Sequence, residues 1–293
     1  MKDFSQYTKT VYGIIGNPVK HSLSPVMHNT AFAELGVDAV YELIPLEEDE
    51  LEEFFDQLRQ DDCPVFGVNV TVPYKEKVIK HLDSLAPFAE KVGAVNTIVI
   101  DKDRKLVGYN TDGPGFMSHL VELQFDPTGK NIMILGAGGS ARAIITTLCL
   151  IPDRPLSIKV YNRTPQRIEE LLNDLKTRLD IGIVESVISV DDLNVRDADL
   201  LINTTSIGLG RDDPSLIEED ALHPGMLVYD LIYNPKETML LKMARQQGAM
   251  TANGLGMLFY QGVLALQHWA NTQIDDEVKI KMRLALEKTV KDV

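Results

Sequence analysis

The segment Leu135-Gly136-Ala137-Gly138-Gly139-Ser140-Ala141 constrains the fold of this chain more than any other. An apolar run, Asn131–Leu135, reads as a strand before it, and a helical pattern follows to about Leu150. In a G-x-G-x-x-A loop the first glycine permits a tight turn and the second lets the backbone approach a pyrophosphate. The alanine lets helix and strand pack closely, and the free N–H groups of the helix start face the anion. Isolated glycines often do no more than make turns, but the strand–loop–helix setting points to a dinucleotide. Further strands are expected at Ser157–Tyr161, Gly182–Val190, Asp199–Asn203 and Met226–Leu231, with a helix from Pro165. Alternating β and α units of this kind imply a doubly wound parallel sheet of the Rossmann type.

The second strand of such a unit selects the dinucleotide, because an acid at its end would bind the ribose 2′-hydroxyl of NAD. Here it ends Val160-Tyr161-Asn162-Arg163-Thr164, with no acid, and the Pro152–Pro155 stretch lengthens the connection before it. Arg163, and Arg167 one turn on, place positive charge where the 2′-phosphate of NADP would lie. Thr164-Pro165 opens a helix whose first N–H groups would add donors. The plainer reading is a capped helix with exposed arginines.

The N-terminal part repeats the α/β alternation. Strands are expected at Val11–Gly16, Val40–Leu46 and Val65–Val70, and a hairpin from Ala94–Ile100 and Leu106–Tyr109. Ser24 reads as an N-cap with Pro25 at the first helical position. The acidic run Glu47–Glu53 suits the start of a helix whose apolar face is Leu51, Phe54, Phe55 and Leu58. The chain end, Glu277–Val290, is helical. The expected organisation is an N-terminal α/β domain over residues 1–112, a dinucleotide domain over 113–251, and C-terminal helices (252–293) that return to complete the first domain.

Composition excludes several classes. With 44% hydrophobic and 25% charged residues, the 293-residue chain is an ordinary globular sequence and not a disordered one. Its start lacks an apolar signal-peptide core, and no apolar run approaches a membrane span, which suggests a cytoplasmic protein. A net charge of −14 disfavours nucleic acid and anionic membranes as partners, while leaving a small anionic ligand open. Two cysteines and six histidines without an HExxH pattern suggest no metal site.

Four polar clusters stand at the ends of expected elements. Ser22 and Ser24 lie at a helix start, and Thr71 and Lys75 follow a strand at a Pro73 turn. Asn96 follows Gly93, and Asp112 opens a helix. Each has a plain structural reading: a cap at Ser24, a solvated lysine, a turn-forming asparagine, a cap at Asp112.

Together with the glycine loop, these clusters resemble the shikimate dehydrogenase family, including its quinate/shikimate branch. The resemblance rests on SLSPVMHN, NVTVPYK, GAVNT, GYNTDGPG, GAGGSAR, NRTPQR, INTTSIG, YNP and NGLGMLFYQG, and it spans nearly the whole chain. It implies two domains with substrate bound in the cleft between them. It assigns substrate binding to Ser22, Ser24, Thr71, Lys75, Asn96, Asp112, Tyr233 and Gln261, with Lys75 and Asp112 as the catalytic pair. It assigns cofactor contacts to Gly136, Ala137, Gly138, Gly139, Ser140, Asn162, Arg163, Thr164, Arg167, Leu231 and Gly254. The implied reaction is the NADP-dependent, reversible reduction of 3-dehydroshikimate to shikimate, by a monomer or homodimer. A ketone reduced by hydride needs a proton on its oxygen, which a lysine ammonium supplies. In the reverse direction the amine must be neutral, so oxidation is expected to rise with pH. A dual quinate/shikimate enzyme using NAD or both cofactors is the near alternative, and a non-catalytic ligand and dinucleotide sensor the remote one.

Overall fold

The computed structural model describes residue 4, residues 6–210 and residues 213–291. They fall into two compact units. One takes the described residues up to Gly115 and those from Leu258 on; the other is Phe116–Met257.

The first unit carries β1 (Thr10–Gly16), α1 (Ser24–Glu34), β2 (Ala39–Pro45), α2 (Leu51–Leu58), β3 (Val65–Val70), β4 (Ser84–Leu85), α3 (Pro87–Val92), β5 (Thr97–Ile100) and β6 (Leu106–Tyr109). Its sheet runs β2-β1-β3-β5-β6-β4. β1 pairs in parallel with β2 and β3, whereas β5 is antiparallel to both β3 and β6. The hairpin expected between residues 94 and 109 is therefore present, and it has a positional consequence. Because β5 runs against β3, and β6 against β5, the end of β3, the start of β5 and the end of β6 share one edge. Thr71, Asn96 and Asp112 are thereby brought to the same edge from well-separated stretches of chain.

α2 buries Leu51, Phe54, Phe55 and Leu58 as its periodicity requires, and its acidic approach forms a capping box between Glu47 and Glu50. The start of α1 differs from expectation. Leu23 occupies the N-cap and Ser24 is the first helical residue, because the Ser22 hydroxyl one step earlier accepts the Ser24 N–H. From Leu258 on, the C-terminal helices belong to this unit. Trp269 lies against β3 where Gly67 has no side chain, and its indole N–H donates to the Ile98 carbonyl at 3.0 Å. A methyl group at Gly67 would overlap the indole ring.

α4 (Asp112–Glu122) leads toward the second unit, which holds β7 (Asn131–Leu135), α5 (Gly139–Leu150), β8 (Ser157–Tyr161), α6 (Pro165–Lys176), β9 (Val184–Val187), β10 (Leu200–Asn203), β11 (Leu227–Asp230), α7 (Met239–Gln246) and β12 (Met250–Asn253). α8 (Leu255–Ala270) and α9 (Asp276–Lys291) follow, and α9 packs on α1. The second sheet is wholly parallel in the order β12-β11-β10-β7-β8-β9. That order reverses between β7 and β10, and ligands of open α/β sheets bind outside such a switch point. β9 is shorter than the expected Gly182–Val190 strand, since Ile188 beyond it is 84% exposed.

Candidate active site

In the first unit the Lys75 ammonium lies 2.6 Å from Asp112 Oδ2. Both side chains are largely enclosed, at 11% and 7% exposure. Backbone pairing explains how a lysine is held there. The Lys75 carbonyl accepts the Val95 N–H at 2.7 Å, and the neighbouring Tyr74 is buried with its phenol donating to the Leu46 carbonyl. Asp112 is not spent on capping its own helix. The Asn110 side-chain oxygen accepts the N–H groups of Asp112 and Gly113 instead, which leaves the Asp112 carboxylate for other donors.

Asn96 provides one of those donors. Its amide nitrogen lies 2.9 Å from Asp112 Oδ1, 2.9 Å from Thr111 Oγ1 and 3.3 Å from Gln261 Oε1. Its amide oxygen accepts the Thr111 N–H at 2.7 Å, which fixes which end of the amide faces the carboxylate. Gln261, on α8, is anchored through its own amide to the Leu258 carbonyl. It can come this close because a Cβ on Gly115 would stand 2.7 Å from the Gln261 backbone nitrogen. Ser22 and Ser24 bond each other through their hydroxyls at 3.2 Å, with Ser24 buried and Ser22 partly exposed. Thr71 is half-buried just past the end of β3, where its N–H bonds the Ile15 carbonyl.

In the second unit Gly136 adopts φ +111°, and a side chain there would collide with the Thr204 hydroxyl. Its N–H is tied to the Tyr161 carbonyl at 2.7 Å, so the turn is closed onto β8. Gly138 is the N-cap of α5, and a Cβ built on it meets nothing within 4 Å. The loop is thus an open cradle at the switch point, with the first N–H groups of α5 behind it. Ala141 is fully buried, as close packing of α5 on the sheet requires. Thr164 caps α6 by its backbone, and the Asn162 amide donates to its carbonyl at 2.9 Å. Arg163 and Arg167 are exposed beside that helix start. These residues fit a dinucleotide whose adenosine end carries an extra phosphate.

Leu231 and Gly254 come together at the ends of β11 and β12. The Gly254 N–H donates to the Ile232 carbonyl at 3.1 Å, and a Cβ on Gly254 would overlap the Leu231 carbonyl group. Asp230, just before them, is fully buried. It accepts from Thr238 Oγ1 at 2.7 Å, from Asn203 Nδ2 at 3.0 Å and from the Ile232 N–H at 3.1 Å. Burial raises its carboxyl above the usual range, against the pull of those donors. Tyr233 is half-buried in the following turn.

The family profile named shikimate dehydrogenase substrate binding domain matches residues 14–98. A shikimate dehydrogenase (NADP(+)) of Methanopyrus kandleri is 42% identical over 275 residues, covering 92% of each chain. The chain belongs to the shikimate dehydrogenase family. Among solved structures of that family, the Thermus thermophilus enzyme in complex with NADP(H) and shikimate matches with a TM-score of 0.81 and 34% identity, over 95% of this chain and 98% of that one. The Listeria monocytogenes enzyme in complex with shikimate and NAD matches with a TM-score of 0.82 and 35% identity, over 96% and 98%.

Family membership accounts for the motifs, but the geometry adds residues that sequence reasoning had not singled out for the site. Asn110 frees the Asp112 carboxylate. Tyr41 and Asn69 extend the buried polar cluster across the sheet, with the Tyr41 hydroxyl donating to Asn69 Oδ1 at 2.7 Å. Asn69 stands within NVTVPYK, two positions before Thr71, and the motif was the one available signal for it.

Proposed function

We propose that this chain catalyses the reversible, NADP-dependent reduction of 3-dehydroshikimate to shikimate, with Lys75 as proton donor and acceptor. The observation that carries the reading is the enclosed Lys75–Asp112 pair at 2.6 Å, with Asn96 and Gln261 beside it. NADPH, when bound, supplies the hydride. Lys75 stabilises the developing alkoxide and passes it a proton, and Asp112 orients the ammonium. In the oxidative direction the neutral Lys75 amine takes the hydroxyl proton. Asn96, Gln261 and Thr71 hold the ring hydroxyls, and Ser22 and Ser24, at the start of α1, hold the carboxylate. Tyr233 adds a substrate contact.

The residues up to about 112 with the C-terminal helices form the substrate domain, and residues 113–251 the dinucleotide domain. There Gly136, Ala137, Gly138, Gly139 and Ser140 cradle the pyrophosphate, while Asn162, Arg163, Thr164 and Arg167 hold the 2′-phosphate. Leu231 and Gly254 border the nicotinamide. The enzyme is cytoplasmic, a monomer or homodimer acting on a small molecule, and the net charge of −14 supports the absence of a nucleic-acid partner.

The test is absorbance at 340 nm with shikimate and with quinate, each offered NADP+ and NAD+. Oxidation of shikimate with NADP+ is expected, falling about 10²–10⁴-fold in kcat in Lys75→Ala. Preference for quinate would move the chain to the dual-substrate branch. A wild-type kcat in Lys75→Ala would remove the lysine from the mechanism.

A further inference from the structure

We propose that Tyr41 is a positioning residue for substrate binding: its buried phenol anchors a row of side-chain hydrogen bonds through Asn69 and Thr97 that, together with the Thr111 N–H, holds the Asn96 amide facing Asp112 and Gln261. The inference rests on the functional reading above in taking Asn96 as a substrate ligand.

The row crosses four strands. Tyr41 on β2 reaches over β1 and donates to Asn69 Oδ1 on β3 at 2.7 Å. Asn69 Nδ2 donates to Thr97 Oγ1 on β5 at 3.0 Å and to the Asn96 carbonyl at 3.1 Å. Thr97 Oγ1 donates in turn to Asn96 Oδ1 at 3.1 Å. Asn69 and Thr97 are direct partners in the antiparallel β3–β5 register, so the side-chain bond is backed by the ladder. Polarity runs one way along the row. A phenol has a single proton and here faces an amide oxygen. Turning the Asn69 amide over would set its oxygen against the Asn96 carbonyl, where two acceptors cannot bond. Once Asn69 donates to Thr97, the Thr97 proton is free for Asn96 Oδ1 at 3.1 Å, with Thr111 Oγ1 the more distant acceptor at 3.3 Å.

Tyr41 is itself held in place. It is 2% exposed, and the His28 ring stacks on it with centroids 4.5 Å apart and planes 11° from parallel. Burial holds His28 in its neutral form, at about 3, so the stack carries no charge through the working pH range. Neither Tyr41 nor Asn69 is needed to stabilise the Lys75–Asp112 pair directly. Their influence reaches the site through Asn96.

Tyr41→Phe keeps the ring and the stack and removes only the phenolic proton. Asn69 Oδ1, on a residue 4% exposed, is then left without that donor, and the amide's hold on Thr97 and on the Asn96 carbonyl loosens. The expected result is a rise of about tenfold in KM for shikimate, within the about five- to 150-fold that one unsatisfied buried acceptor spans. kcat should stay within about threefold, and KM for NADP+ should not change. A double variant, Tyr41→Phe with Asn69→Ala, should be no worse than Asn69→Ala alone, because the phenol then has nothing left to position. Tyr12→Phe, in the same aromatic cluster but outside the row, should leave KM as it is.

A second measurement needs no substrate. Exchange of the Asn96 side-chain amide protons, followed by NMR, should be slow in the wild type and faster in Tyr41→Phe. Unchanged exchange overturns the proposal. So does an unchanged KM, or losses that simply add in the double variant. If the wild type fails to oxidise shikimate while the amide protons respond as expected, the functional reading fails and the row stands.

Discussion

His28 makes the first unit acid-labile by an amount the structure allows to be worked out. Its ring is fully buried between Tyr41 and Trp269, and neither ring nitrogen has a hydrogen-bond partner among the described residues. Burial lowers its pKa from 6.5 to about 3. A depressed folded-state value means that the unfolded chain binds the proton and the folded one does not. His28 therefore costs nothing above the ordinary value, and stability is lost progressively as pH falls from there toward about 3. The full loss is about 5 kcal/mol, of which about 2 kcal/mol accumulates between about pH 7 and pH 5. His28→Leu removes both nitrogens with little change in volume. At neutral pH it should be close to neutral, because the lost stacking (~0.5–1.5 kcal/mol) is offset by deleting two unpaired buried polar atoms. Urea unfolding followed by fluorescence reads the first unit alone, since the chain's single tryptophan is Trp269. From pH 7 to pH 5 the wild type should lose about 2 kcal/mol more than His28→Leu. Equal losses in the two proteins would show that the ring is hydrated or charged in the folded state, and would refute the reasoning.

Two further outcomes follow from the second unit. Arg163→Asp should shift the ratio of kcat/KM for NADP+ over NAD+ toward NAD+ by about 10–150-fold, the worth of one charged hydrogen bond; an unmoved ratio would show that the arginine does not meet the 2′-phosphate. Gly254→Ala sets a methyl group 2.5 Å from the Leu231 carbonyl carbon, so the ends of β11 and β12 must part. Overpacking of this kind costs about 1–3 kcal/mol or more, and the variant should melt earlier and bind NADP+ more weakly; wild-type melting and binding would contradict it.

What the sequence disclosed, and what it withheld, follows from how local each interaction is. The glycine loop, the Thr164-Pro165 helix start and the inward face of α2 are each written within a dozen residues, and all three stand where the pattern placed them. Lys75 and Asp112 were identified one by one, but nothing in their 37-residue separation says that they touch. Their meeting depends on the reversal of β5 against β3 and β6. Tyr41 and Asn69 are hidden for the same reason, because the strand order that lets one reach the other is a property of the sheet. α7 and β12 went unread because eight and four residues, with Met239 and Met250 both exposed, are too few to display a period. At Ser24 the competing residue was its neighbour Ser22, whose hydroxyl takes the N–H and leaves Leu23 at the cap.

The bare strip of β3 at Gly67, roofed by Trp269, has a consequence for how this protein is made. The glycine leaves the ribosome about two hundred residues before the indole that covers it. At synthesis rates of roughly 5–20 residues per second, the N-terminal sheet waits about 10–40 s with that strip open. The intervening Rossmann unit is contiguous in the chain and can mature during the interval. A nascent chain stopped before α8 would then carry a finished nucleotide-binding half beside an unroofed sheet.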